Sequence, residues 1–241
     1  MSSPAVHASL RLTKTLDKGA KENHRSKFKN KFKDSLMDKH KNTDAYISQQ
    51  RQALASNPEC GNTHYNLGVA LMSKRQLDEA EQAFLNAIDC SPTLAEAYVQ
   101  LGAICFTRGD MEGCLDWNKR AVKVRPGFSE GYGNIGFVHL QRGEADEAIE
   151  ALKRATAFNF RFVQGFTTLA TAYLMKGQAD AAIEACNSAL KVQPDFAVAH
   201  NNLAIAYLEK GERERARFHA QKAVALGYEV APSIMDELKE G

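Results

Sequence analysis

Apolar residues recur three and four positions apart along most of the chain, which is typical of amphipathic α-helices. The pattern itself repeats every 34 residues, and one place always holds leucine or isoleucine: Leu67, Leu101, Ile135, Leu169 and Leu203. Another place is always alanine: Ala87, Ala121, Ala155, Ala189 and Ala223. A fixed period of this length predicts an array of helix pairs. The predicted repeats are 61–94, 95–128, 129–162, 163–196 and 197–230.

Helix boundaries are marked within each predicted repeat. In four repeats a glycine is followed closely by an acidic residue, as in "RGDMEG" and "RGEADEA", which ends one helix and begins the next. Pro92, Pro126 and Pro194 close three of the repeats. A glycine or alanine follows the recurrent leucine, and we expect it to face a small residue of the second helix so that the two backbones approach closely.

These features resemble the tetratricopeptide-repeat family over five in-phase repeats. The resemblance implies an all-α, right-handed superhelical α-solenoid with helical caps. The chain departs from the family pattern at a few places. His64 and His200 stand where a bulky aromatic residue is expected, Asn118 replaces an apolar residue, and Phe160 and Tyr228 replace the closing proline.

The segments outside the repeats suggest caps and an arm. Residues 1–26 are predicted to be a basic, disordered arm, and residues 27–60 a degenerate repeat that caps the array. Within that cap the pattern predicts a weak helix at about 27–40 and a clear helix at 43–57. Residues 231–241 begin with Pro232 near a predicted helix start and are expected to form a C-terminal capping helix.

Charge is unevenly distributed along the 241 residues. The net charge is +2, but residues 1–45 hold 11 Lys and Arg against 5 Asp and Glu, so a basic arm precedes a mildly acidic body. The arm carries Phe28, Phe32 and Leu36 on one helical stripe, surrounded by lysines. Three interpretations stay open: a helix packed on the array, a disordered tail, or contact with an anionic membrane surface or nucleic acid.

Composition points to a soluble, cytoplasmic protein. Hydrophobic residues make up 44% of the chain, and no apolar run is long enough for a membrane span or a secretory signal. The five cysteines are scattered without a CxxC motif, so we expect packed, reduced thiols.

The resemblance implies that the first helix of each repeat lines a concave groove. The sixth residue of every repeat is polar and uncharged: Asn66, Gln100, Asn134, Thr168 and Asn202. Such a row can hydrogen-bond the backbone of an extended peptide. The neighbouring groove positions include Asn201 beside Asn202, and mostly apolar or aromatic residues: Tyr65, Val69, Val99, Phe106, Phe137 and Ile205. Gly133 is expected to leave room for a bulky side chain of the ligand.

An alternative for the polar row is purely structural, in which the side chains satisfy neighbouring helix backbones or water. One binding mode of the family is disfavoured. Members with a carboxylate clamp bind acidic chaperone C termini through basic groove residues, and the matching positions here carry none, as at Tyr65, Gln100 and Asn134.

No catalytic, cofactor-binding or metal-binding motif occurs in the sequence. We therefore predict a non-enzymatic interaction module that binds a peptide or helical segment of a partner protein, in assembly or in a chaperone-like role. Two alternatives remain: a self-associating scaffold that uses the N-terminal arm, and attachment of the arm to an anionic membrane surface. An enzyme is the least favoured class, because no positioned acid, base or nucleophile is recognisable.

Overall fold

A computed structural model describes residues 42–238 of the chain. The arm at 1–26 and the weak helix at about 27–40 lie outside the described residues. The chain divides into two compact units between Pro58 and Glu59. In the first unit, helix α1 is described over residues 42–56, where the sequence predicts a helix at 43–57.

The second unit consists of five successive antiparallel helix pairs and a short final helix. Their bounds are α2 Gly61–Ser73 and α3 Leu77–Cys90, α4 Ala95–Thr107 and α5 Met111–Val124, α6 Ser129–Gln141 and α7 Ala145–Phe158, α8 Val163–Met175 and α9 Ala179–Val192, α10 Ala197–Glu209 and α11 Arg213–Ala225, then α12 Pro232–Glu237. Between residues 42 and 238 there is no strand. The predicted all-α solenoid is confirmed.

The pairs stack in sequence order. Each second helix packs against the first helix of its own repeat and against the first helix of the next. The first helix α8 also contacts the first helices on either side of it, α6 and α10. Leu101, Leu152 and Leu203 lie fully inside this stack, so each repeat buries its apolar side on its neighbours, as a solenoid requires.

Close approach within a pair depends on the glycine that follows the recurrent leucine. A Cβ atom at Gly68 would lie 2.6 Å from the Phe84 ring, and one at Gly136 would lie 2.5 Å from Cγ of Leu152. In these repeats a large side chain of the second helix fills the space beside the glycine, and the small residue Ala148 also approaches, with its carbonyl oxygen 3.1 Å from a Cβ atom at Gly136. In the last repeat the residues that meet are all small, because Ala204 packs with Ala216 and Ala220. The expectation that small residues face each other is thus met in part.

The turn between the two helices of a pair requires a left-handed backbone. Gly109, Gly143, Gly177 and Gly211 have φ between 65° and 80°, a conformation that glycine adopts at no steric cost. In the first repeat the same place is held by Arg75, with φ of 60°. A side chain in this conformation costs about 1–2 kcal/mol.

Replacing Arg75 by glycine should therefore raise the free energy of unfolding. Because glycine also gives the unfolded chain more freedom, we expect a net gain of up to about 1 kcal/mol. Urea denaturation followed by circular dichroism measures it. Gly143→Arg is the matched control and should lower stability. An Arg75→Gly protein that is less stable than the wild type would contradict this account of the turn.

A ladder of ion pairs joins consecutive repeats. The cation that ends each first helix reaches an acid in the second helix of the preceding repeat. The pairs are Arg108 with Asp78 and Glu81, Arg142 with Glu112, Lys176 with Asp146, and Lys210 with Asp180. Most of the acids are exposed and the cations are partly exposed, so each pair contributes less than about 1 kcal/mol. The ladder therefore links each repeat to the one before it with little gain in stability.

The C-terminal end of the array is covered by the short helix α12. Leu238 is buried, and Ile234 and Met235 pack with it against Ala204, Ala216 and Ala220. Arg217 donates a hydrogen bond of 2.7 Å to the Leu238 carbonyl oxygen. The apolar stripe after Pro232 thus covers small residues of the last helix pair.

Candidate functional site

The candidate site is the first-helix face, the side of α2, α4, α6, α8 and α10 that points away from the second helices. Helical periodicity separates the two sides of each helix. In α6, for example, Ile135 and Val138 are buried, whereas Phe137 is exposed. All the predicted site residues belong to these five helices.

Apolar side chains on this face remain open to solvent. Val69, Phe106, Phe137 and Met175 are between 36% and 52% exposed. The rings of Phe106 and Phe137 meet edge to face across neighbouring repeats, with centroids 5.5 Å apart. Exposed apolar groups in a row are typical of a binding surface. The pair of aromatic rings lies at the centre of this row, in the second and third repeats.

The other predicted apolar residues are half-buried. These residues are Tyr65, Val99 and Ile205. Gly133 does not provide the predicted space for a ligand, because a Cβ atom there would lie 2.5 Å from the ring of Phe162. The same ring also closes on Gly165, again at 2.5 Å. A side chain of this chain thus occupies that volume.

Three residues of the polar row are at least partly accessible to solvent. Asn66 is exposed, and Gln100 and Thr168 are half-buried. Burial and the charge of Glu96 raise the pKa of Tyr65, and a hydrogen bond with Gln100 acts in the opposite direction. The Thr168 hydroxyl donates to the Gln164 carbonyl oxygen of its own helix, at 2.8 Å.

Asn134, in the middle of the row, is held by a residue of the preceding repeat. Its Nδ2 donates to Oδ1 of Asn118, at 3.0 Å. Asn118 is fully buried and donates through its own Nδ2 to the Cys114 carbonyl oxygen, at 2.8 Å. The unusual asparagine of the second repeat is therefore a satisfied core residue that supports a groove residue.

Asn201 and Asn202 are buried, at 7% and 5% exposure, although the pattern predicts that they face a partner. Nδ2 of Asn202 donates to the carbonyl oxygen of Thr167 and to Oγ1 of Thr171, both at 3.1 Å. The physical reason is the close contact between α8 and α10, which places threonine oxygens beside the amide. Binding by these two residues remains a prediction, and their observed contacts join two repeats.

A histidine pair lies next to these asparagines. His200 and His219 stack with their Nδ1 atoms 2.9 Å apart, and Nε2 of His200 lies 3.1 Å from the Pro194 carbonyl oxygen. That oxygen can only accept, so Nε2 of His200 donates to it. In the neutral pair, Nδ1 of His219 then donates to Nδ1 of His200. A proton added to Nδ1 of His200 would place two N–H groups opposite each other, whereas one added to Nε2 of His219 would bring a charge to a half-buried ring.

Acid should therefore destabilise the last repeat. Burial, followed by the charge of His200, lowers the pKa of His219 from 6.5 to about 4. His219 in the unfolded chain takes up a proton as pH falls through 6.5, while His219 in the folded chain resists it. Stability present above this pH is thus lost between about pH 6.5 and pH 4.

Urea denaturation near pH 7.5 and near pH 4.5 tests this, with wild type compared to His219→Ala. Alanine stands at the same place in three other repeats, as Ala83, Ala151 and Ala185, so the variant suits the fold. The wild type should lose more stability on acidification than the variant. Equal losses would contradict the assignment, because every other titrating group is shared.

Little else in the described chain suggests chemistry. The five cysteines, all within the described residues, form no disulfide. Burial raises the pKa of Cys186 to about 12 and is the main cause of the raised pKa values of Cys105 and Cys114. Between residues 42 and 238, no group of three or more His, Cys, Asp or Glu side chains could hold a metal ion. In the same range, no helix is long and apolar enough to cross a membrane.

Three family models match the chain, all of them tetratricopeptide repeats. One described as "TPR repeat" covers residues 170–211, and two described as "Tetratricopeptide repeat" cover 47–95 and 129–161. A comparison with curated proteins found no match.

Solved structures show the same fold. MamA is 27% identical over 67% of this chain and 94% of its own, with a TM-score of 0.59. YrrB, described as a TPR protein with an unusual peptide-binding site, is 19% identical over 80% of this chain and 98% of its own, with a TM-score of 0.63. PilF of Pseudomonas aeruginosa is 16% identical over 75% of this chain and 83% of its own, with a TM-score of 0.67. With its repeating helix pairs and three matching family models, this chain belongs to the tetratricopeptide-repeat family.

Proposed function

We propose that this protein is a non-enzymatic interaction module that holds a peptide segment of a partner on its first-helix face. Tetratricopeptide repeats form protein–protein interaction scaffolds. The observation that carries the proposal is the row of exposed apolar residues Val69, Phe106, Phe137 and Met175, which continues over four repeats. An apolar surface with a few placed polar groups suits recognition of a segment.

The repeat spacing fits an extended chain. Packed helices lie about 8–10 Å apart, and an extended chain advances about 3.3 Å per residue. Each repeat thus spans about three residues of a bound segment. Asn66, Gln100 and Asn134 recur once per repeat beside the apolar row, so they are spaced to meet every third residue of the ligand.

Selection from a phage library of random peptides tests the proposal. The full-length chain is the bait, and the strongest selected peptide is synthesised and titrated against it. We expect peptides whose binding depends on the first-helix face. Failure to select any peptide, or binding that is indifferent to changes on that face, would overturn the proposed function.

The same experiments, together with light scattering, distinguish self-association of the chain from binding of a foreign segment. Light scattering is run on the full-length chain and on a chain lacking residues 1–42. If the full chain is dimeric and the shortened one monomeric, and only the shortened chain selects peptides, the face is occupied by a second copy. A monomer in both cases, together with selected peptides, supports binding of a foreign segment.

A further inference from the structure

Three side chains of the polar row, Asn134, Thr168 and Asn202, direct hydrogen-bond donors to other residues of the protein. The Thr168 hydroxyl donates to Gln164. Both acceptors around Nδ2 of Asn202 belong to α8, namely the Thr167 carbonyl oxygen and the Thr171 hydroxyl oxygen. No hydrogen bond of the described chain is made to Oδ1 of Asn202. The donors of these two side chains are therefore used within the protein, and their oxygens can still accept a hydrogen bond from a ligand.

The orientation of the Asn134 amide is fixed by the core behind it. The Cys114 carbonyl oxygen can only accept, so the nitrogen of Asn118 must face it. Oδ1 of Asn118 then faces Asn134 and must receive an N–H. Asn134 consequently turns its nitrogen toward the core and its own Oδ1 away from Asn118. One N–H of Asn134 remains unused, beside an oxygen that is free to accept.

Asn201 adds a further unsatisfied acceptor. Its Oδ1 is buried and has no hydrogen-bond partner within the described residues. A buried polar atom without a partner costs roughly 1–3 kcal/mol, so a donor that reached it would be favoured. This oxygen belongs to the residue next to Asn202, at the C-terminal end of the row.

The charges of the face also favour a ligand that brings hydrogen-bond donors, because the face carries acids and no cations. Repeat positions 2, 5, 6, 9, 12 and 13 lie on the first-helix face, and none of them holds Lys, Arg or His in any of the five repeats. Glu130 and Glu209 are exposed at such positions, and Glu96 is half-buried beside Arg125. Four of the five cations that follow the first helices are paired with acids, namely Arg108, Arg142, Lys176 and Lys210.

We propose that the first-helix face recognises a basic, apolar segment of a partner protein. Lys or Arg side chains of that segment donate to the amide oxygens of the row and pair with Glu130, while apolar side chains cover Val69, Phe106, Phe137 and Met175. The faces of the Phe106 and Phe137 rings also attract cations. This inference rests on the proposed function and specifies its ligand class.

The composition of the selected peptides tests the inference. Peptides that lose binding to a Phe106→Ala, Phe137→Ala double variant are sequenced, at physiological salt, and compared with the unselected library. We expect enrichment of Lys and Arg and depletion of Asp and Glu. Enrichment of acidic peptides, or no charge preference, would overturn the inference and leave the proposed function intact. If no selected peptide depends on the first-helix face, the proposed function itself is overturned, and with it the inference about the ligand.

Two further measurements locate the cation. Replacing each Lys or Arg of the strongest peptide by norleucine removes its donor and charge but keeps the stem. We expect at least one position where affinity falls about tenfold. Glu130→Gln should weaken the unmodified peptide severalfold. Glu147→Gln, an exposed glutamate on a second helix, is the matched control and should not. Equal effects of the two variants would overturn the placement at Glu130.

Discussion

Replacing Phe106 and Phe137 together by alanine should weaken binding of a library-selected peptide by at least about tenfold, which corresponds to roughly 1.4 kcal/mol. The two rings are partly exposed and touch each other at the centre of the face. A bound segment would bury both, and aromatic residues at the centre of an interface contribute most of its energy. Calorimetric titration of the same peptide into wild type and variant measures the loss.

The matched control removes equal apolar area elsewhere. Phe160 lies between α7 and α8, Phe218 lies on the second helix α11, and both are more than half exposed. Phe160→Ala combined with Phe218→Ala should leave the affinity unchanged. Melting curves of both double variants should resemble that of the wild type, because none of the four rings is buried. Equal loss in the two double variants would contradict binding at the first-helix face.

Replacing Asn118 by aspartate should destabilise the fold by about 3–5 kcal/mol at neutral pH. Asn118 is fully buried, and its nitrogen donates to the Cys114 carbonyl oxygen. A carboxylate of the same shape would bring a charge into the core and would oppose that carbonyl oxygen. Burial should hold the pKa of this carboxyl above its ordinary value of about 3.9.

The stability deficit of the Asn118→Asp variant should depend on pH. A raised folded-state pKa means that the stability of the variant is highest below about pH 4 and falls as pH rises toward the folded-state value. Urea denaturation of Asn118→Asp relative to wild type should therefore show the largest deficit at neutral pH and a smaller one in acid. A deficit that does not change with pH would contradict the assignment of a buried charge.

Leucine at the same position serves as the control. Leu152 occupies this place in the third repeat and packs on Gly136, as Asn118 packs on Gly102. Asn118→Leu should thus be close to wild type in stability, since leucine fills this place in the third repeat and the half-buried Asn134 can turn its amide to solvent. It would also release Asn134, whose side-chain amide signals in an NMR spectrum should then report free rotation in solvent.

The architecture could be predicted because it depends on short-range, repeated features. A fixed period of 34 residues determines the helix pairs, and glycines such as Gly143 mark the turns through their left-handed φ. The ion-pair ladder also has a sequence signal that we overlooked. Each repeat carries Lys or Arg at its fourteenth place and an acid at its eighteenth, as in Arg142 and Asp146, but the partners come from adjacent repeats.

The candidate site was harder to predict because it depends on contacts between repeats. Nothing near Asn202 in sequence indicates that Thr167 and Thr171, more than thirty positions away, take up its amide. In the same way, the space in front of Gly133 depends on the Phe162 ring. Periodicity identifies the helix face on which a residue lies, but exposure depends on how closely the neighbouring first helix approaches. This distance is set by side chains of two repeats together.

The central claim is that a peptide segment binds on the first-helix face, and photo-crosslinking tests it most directly. A benzophenone group is placed at the centre of the strongest library peptide, and the crosslinked residues of the full-length chain are identified by mass spectrometry. The account predicts crosslinks within α4 and α6, close to Phe106 and Phe137. Crosslinks confined to the second helices α3, α5 and α7 would contradict it.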